Sequence, residues 1–173
     1  DMSTFDALEH DLQCSACKFT AKGVRKWVHR KSKSWRKWSA EEKGKWVRKS
    51  LKNACSKLPG QVCTYVKDGK KVFGDFGALM AKGGSMSGLS MSGELKTQLG
   101  DACKELAREY GSEIEDGYES VKKPGKYKIE KDLCEELSGA CLDGENKDDD
   151  DIDGLGDLSK FAEQMDKIAK DEL

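Results

Sequence analysis

The sequence predicts a mainly α-helical, disulfide-stapled domain with a small β-hairpin insertion. Three observations carry this. Apolar residues recur at helical spacing over most of residues 4–141, seven cysteines are spread along that length, and one stretch near 62–76 switches to a strand-like pattern around Asp68-Gly69. The expected organisation is a domain over 1–141, followed at 142–173 by an acidic tail, a short amphipathic helix and a C-terminal signal.

Segment 4–29 opens with a capping residue, Ser3 or Thr4, and places Phe5, Leu8 and Leu12 on one helical face. Cys14 and Cys17 follow one turn apart, and Gly23 and the basic stretch Arg25 to Lys37 weaken the pattern. Ser39-Ala40-Glu41-Glu42 is a capping box, in which serine and glutamate satisfy backbone donors at a helix start. The helix it opens carries Trp46, Val47, Leu51, Ala54, Cys55 and Leu58, and Pro59-Gly60 ends it. Val62–Val66 and Lys71–Phe73, joined through Lys67-Asp68-Gly69-Lys70, read as a two-stranded hairpin. The Gly, Ser and Met of 83–93 read as a flexible loop. From Glu94 the clearest helix sets Leu95, Leu99, Cys103, Leu106, Tyr110, Ile114, Tyr118 and Val121 on a 3.6-residue period, until Pro124-Gly125 breaks it. A last core helix carries Ile129, Leu133, Cys134, Leu137 and Cys141. Residues 143–157 are acidic without apolar periodicity and predict a disordered linker. Leu158, Phe161, Met165 and Ile168 then form one apolar stripe.

Apolar and charged residues each make up 36% of the 173, so the core is modest and needs covalent help. No apolar run approaches the ~20 residues of a membrane span. Net charge is −1, yet residues 1–75 hold 18 Lys/Arg against 8 Asp/Glu, and the remainder 13 against 24. Such asymmetry can mark a nucleic-acid or membrane partner, or two halves that face each other or simply solvate the fold. The terminal Lys170-Asp171-Glu172-Leu173 reads as an address that a retrieval receptor uses to return proteins to the endoplasmic reticulum lumen. The numbering opens at Asp1 with no signal peptide in view, and the expectation is that one was removed. In that lumen nucleic acid is not an expected partner.

The seven cysteines are Cys14, Cys17, Cys55, Cys63, Cys103, Cys134 and Cys141. An oxidising compartment makes structural disulfides the default, the odd number leaves at least one thiol over, and six cysteines allow 15 pairings. All six outside the hairpin sit on expected helices. The ordered framework Cys14-Ser-Ala-Cys17, Cys55, Cys103, Cys134 and Cys141 resembles the saposin-like fold, and more narrowly the canopy family of reticulum-resident saposin-like proteins. The Cys55 helix leading into the hairpin, Met91-Ser-Gly-Glu-Leu-Lys96, and Ala102-Cys103-Lys-Glu-Leu-Ala-Arg-Glu-Tyr110 agree with that family's pattern. So do Leu133-Cys134 followed by Cys141, and the retrieval tetrapeptide. The resemblance implies nested pairs Cys14–Cys141, Cys17–Cys134 and Cys55–Cys103, with Cys63 a free-thiol candidate.

It also implies a co-chaperone role in maturing secretory or membrane proteins. Members of the family are associated with Toll-like receptors, immunoglobulin assembly and endoplasmin. The chain departs from the family in its extra Cys63, in the lysine- and tryptophan-rich segment 24–52, and in its acidic tract. The nested pairing sets a geometric condition. Cys14 and Cys17 lie ~4.5 Å apart along a helix and Cys134 and Cys141 ~10 Å, so the helices must cross or the last must unwind near Cys141.

Several motifs admit a second reading. Cys14-Ser-Ala-Cys17 fits a redox dithiol, making the chain a thiol-disulfide oxidoreductase, but it sits inside a helix with no preceding strand, which favours structural bridging. Asp149, Asp151 and Asp153 with Gly154 imitate the start of a calcium loop, but Lys160 stands where the bidentate glutamate belongs, so they are weak candidates beside a solvated linker. Trp27, Trp35, Trp38 and Trp46 interleave with Lys and Arg, which suits a protein partner or an anionic lipid surface. The structural alternative puts Trp27 and Trp46 in the core and Trp35 and Trp38 in an exposed loop. His10 and His29 have no catalytic partner, so no enzyme mechanism and no cofactor are expected. The sequence reading is thus a non-enzymatic lumenal co-chaperone or folding adaptor, with a lipid-binding saposin-like module, a thiol-disulfide oxidoreductase using Cys14 and Cys17, and a calcium buffer using the tail as its rivals.

Overall fold

The computed structural model describes residues 3–83 and 86–142. The acidic tract, the apolar stripe from Leu158, the Asp149/Asp151/Asp153 motif and Lys170–Leu173 lie outside the described residues. The chain runs α1 (Thr4–Ala7), α2 (His10–His29), α3 (Ser32–Trp35), α4 (Ala40–Ser56), β1 (Val62–Lys67), β2 (Lys70–Asp75), α5 (Phe76–Ala81), β3 (Ser87–Met91) and α6 (Gly93–Glu119). A 3₁₀ turn at Pro124–Lys126 and a closing helix at Glu130–Leu137 complete it. The expected mainly α, disulfide-stapled architecture with a hairpin is what forms.

The segment expected as one helix over 4–29 is two. The Ser3 hydroxyl accepts from the Asp6 amide to cap α1, which ends at Leu8 in extended conformation before α2 restarts. Glu105 of α6 fixes the offset piece, accepting from the Thr4 and Phe5 amides at 3.0 and 2.7 Å. Gly23 does not interrupt α2. A Cβ there would stand 3.2 Å from that of Ala54, so its missing side chain is what lets α2 and α4 approach closely. Ser39 accepts from the Glu42 amide at 3.2 Å and starts α4, as the capping box requires.

Two apolar clusters result. Buried faces of α2, α4, α6 and the closing helix meet around Val24, Val28, Val47, Leu51, Leu106, Ile114, Ile129 and Leu133. The second cluster joins Leu12 and Ala16 of α2 and Leu99 and Ala102 of α6 to Val62 and Phe73 of the sheet. A 2.8 Å hydrogen bond from the Phe73 amide to the buried Ser15 hydroxyl ties the hairpin to α2.

The hairpin has the expected two-residue turn, with Asp68 and Gly69 both at positive φ and Lys67 paired with Lys70. Within the expected loop at 83–93, Ser87–Met91 instead forms a strand: β3 pairs antiparallel with β1, giving the order β2-β1-β3. Its pairing completes the ladder of β1 and outweighs the weak strand propensity of Ser87-Gly-Leu-Ser-Met91.

The bridges are Cys14–Cys141, Cys17–Cys134 and Cys55–Cys103, with Cα–Cα distances of 4.6, 5.7 and 5.4 Å. Cys63 is free and buried. Cys141 is not on a helix, contrary to expectation. The closing helix winds with wide π-type turns, stops at Leu137, and Gly139 at φ +65° turns the chain back. The Cys141 amide then reaches the Cys134 carbonyl at 2.8 Å, so both cysteines can meet a pair one helical turn apart. Unwinding of the last helix thus meets the geometric condition.

Candidate binding surface

Residues 25–49 carry eleven Lys/Arg and two acids, Glu41 and Glu42. They form the last quarter of α2, α3 and the first half of α4, which helical geometry would otherwise distribute around each rod. Packing decides what faces out: Val24, Val28 and Val47 turn inward, while Lys26, Lys33, Arg36, Lys37, Lys45, Arg48 and Lys49 are exposed.

The four tryptophans divide. Trp35 is fully buried and its indole N–H donates to the Val121 carbonyl at 3.2 Å, with Tyr118 edge-on at 6.0 Å. It is a core residue, which corrects both its candidacy for partner binding and its placement in an exposed loop. A four-residue helix is too short for periodicity to reveal an inward side. Trp38 and Trp46 are half-buried and continue the aromatic run from Trp35, at 6.1 Å and then 6.5 Å between ring centroids. The Trp46 indole N–H is shared between the Trp27 and Val28 carbonyls at 3.1 and 3.2 Å. Trp27, also half-buried, lies between Arg30 at 4.3 Å and Lys57 at 4.8 Å, while Lys31 and Lys49 flank Trp46 at 5.7 Å.

Chemically, this is a cationic face with fixed aromatic rings. The indole donor of Trp46 is spent on backbone carbonyls, so this half-buried ring offers an edge and a face rather than a donor. The orientation of the rings is set before any partner arrives, which lowers the ordering cost of binding. Cations over ring faces present charge and apolar area together, the pairing found in protein hot spots.

The hairpin region contributes apolar surface of a different kind. Val66, Met80, Leu89 and Met91 are exposed, and β3 is an edge strand exposed at every residue. Lys122 and Lys123, which follow α6, also join the basic side of the molecule near α3. Sequence reading missed this pair; two adjacent lysines at a Pro-Gly helix break were the available signal.

The dithiol motif is divided between two bridges. Cys14 and Cys17 each pair with a cysteine of the C-terminal segment rather than with one another, and both are buried. Burial pushes the Cys63 thiol up, and the Asp75 carboxylate adds to the shift, so at neutral pH it is protonated and a poor nucleophile. His10 is exposed and His29 half-buried. Among the described residues no group of three or more His, Cys, Asp or Glu is placed to hold a metal ion. None of the described helices is long and apolar enough to cross a membrane. No protein-family model, curated protein or solved structure matches the chain.

Proposed function

We propose that the chain is a canopy-like, saposin-like folding adaptor or co-chaperone of the endoplasmic reticulum lumen, acting by binding rather than catalysis. Its partners would be client secretory or membrane proteins, or a lumenal chaperone. Three disulfides are the chemistry of an oxidising, secretory-type compartment. The sequence Lys170–Leu173 supports retention in the lumen through the retrieval receptor.

The observation that carries the binding role is the cationic face on which Trp46 is held by backbone hydrogen bonds and flanked by cations, Trp27 is flanked by cations, and Trp38 packs against the Trp35 and Trp46 rings. A cross-linked scaffold that presents such a face suits acidic and apolar stretches of incompletely folded chains.

The test is light scattering from a thermally unfolded secretory protein, with and without the oxidised chain. The parent should suppress aggregation at near-stoichiometric ratio. Arg30→Glu with Lys31→Glu and Lys49→Glu should weaken the protection by about tenfold or more, the scale of hot-spot loss. Equal protection by this variant would sink the proposal. The same basic-aromatic face also favours a lipid-binding module. Flotation with anionic but not neutral vesicles, without suppression of aggregation, would establish that rival.

A further inference from the structure

On the side of α3, a groove of about 440 Å³ opens between the C-terminal end of α2, α3 and the turn after α6. His29, Lys33, Arg36, Lys37, Lys122 and Lys123 line it, and no carboxylate among the described residues does. Its two basic walls are more than eighty residues apart in sequence, so neither arises from a local run alone. Both are fixed. Trp35 is buried and its indole holds the Val121 carbonyl, immediately before Lys122. Pro124 is buried, and the Lys126 and Tyr127 amides return to the Lys123 and Pro124 carbonyls at 3.0 and 3.2 Å. Five permanent cations held around one concavity repel each other and focus a positive potential into it.

We propose that the occupant of this groove is the chain's own acidic tract, through Asp148–Asp153. Charge is the first argument. Residues 143–157 carry eight carboxylates and one lysine, the inverse of the groove. Reach is the second. Cys141 is held to Cys14 at the far end of α2, and the rise from Cys14 to His29 is about 22 Å. Seven extended residues beyond Leu142 span about 23 Å, long enough for Asp148–Asp153 to reach the groove. Tethering is the third. A linker of this length gives an effective concentration on the order of millimolar, so even a weak site fills in cis.

The experiment is zero-length carbodiimide cross-linking of the full oxidised chain, with peptide mass spectrometry to map each amide formed between a carboxylate and a lysine. Links from Asp148–Asp153 should favour Lys33, Lys37, Lys122 and Lys123 over Lys52, Lys70 and Lys71 by about fivefold, and should fall severalfold between ~20 mM and ~500 mM salt. In Lys122→Gln with Lys123→Gln, links to Lys33 and Lys37 should drop about threefold while the disulfide map stays unchanged. Links spread evenly over exposed lysines, or unaffected by this variant, would overturn the proposal. So would mixed isotope-labelled and unlabelled chains showing that the links join two copies.

Discussion

Because the bridges are nested, their contributions cannot be equal, and the inequality can be worked from the structure. Cys55–Cys103 closes a span of 48 residues, worth about 4 kcal/mol on the chain-entropy relation. Cys14–Cys141 alone closes 127, worth about 5 kcal/mol. Once it is in place, Cys17–Cys134 closes a further ring of only about ten residues and adds about 3 kcal/mol. Replacing Cys17 and Cys134 together by Ala should therefore cost about 3 kcal/mol, and replacing Cys55 and Cys103 about 4 kcal/mol. Removing all four outer cysteines should cost about 8 kcal/mol, enough to unfold a domain whose total stability is typically 5–15 kcal/mol. Guanidinium unfolding without reductant reads these differences, followed by the fluorescence of buried Trp35 and its neighbours. If the Cys17/Cys134 variant loses as much as the four-cysteine variant, the outer bridges do not back each other up and the nested account fails. A Cys55/Cys103 variant within about 1 kcal/mol of the parent would refute the ring-size argument itself.

Two substitutions on α6 should act with opposite sign. Gly111→Ala places its methyl 3.6 Å from Leu51, an ordinary contact, and should gain about 1 kcal/mol of helix propensity. Gly117→Ala drives its methyl into the Tyr127 ring and should lose about 1–3 kcal/mol. Thermal melts of the two variants check the pair, and a shared sign would be inconsistent with this packing. Tyr118 should make the fold alkali-sensitive. Its phenol is fully buried without a hydrogen-bond partner among the described residues, and burial raises its pKa far above the usual tyrosine value, with the Glu130 carboxylate adding to the shift. The unfolded phenol ionises near pH 10 while the folded one keeps its proton, so this stability is intact below that pH and falls as pH rises above it. The parent should lose about 1.4 kcal/mol per pH unit more than Tyr118→Phe above pH ~10, with the variant at least as stable at pH 7. Parallel denaturation curves from pH 9 to 11 for the two proteins would count against it.

What was legible in the sequence is what local periodicity and capping decide. Ser39 starts α4, Asp68-Gly69 makes the hairpin, and Leu99, Leu106 and Ile114 face inward because each signal acts within a turn or two of chain. What was missed depends on partners distant in sequence. Ser87–Met91 has weak strand propensity and pairs with β1 through a bulge, with Gly88 at φ +62°. Trp35 looks solvent-bound beside Lys33, Arg36 and Lys37, and its burial is settled by Tyr118 and Val121, over eighty residues on. Gly23 reads as a weak point in a helix until Ala54 is set against it. The basic face was visible as composition, but the groove that Lys122 and Lys123 close was not.

The disulfides also divide the molecule mechanically. Every bridged cysteine lies on α2, α4, α6 or the C-terminal segment, and none lies on the sheet or α5. The whole hairpin region is the loop that Cys55–Cys103 closes, joined to the helices beyond that point by packing of Val62 and Phe73 and by the Ser15 hydrogen bond. Cys63 lies within it, buried and protonated rather than bridged. The basic face belongs to the C-terminal end of α2, to α3 and to the first half of α4, on helices α2 and α4 that carry bridged cysteines, whereas exposed Val66, Leu89 and Met91 belong to the region held by one bridge at its base. Covalent constraint therefore falls on the helices that carry the charged surface, and the apolar edge strand is left as the part whose opening costs least.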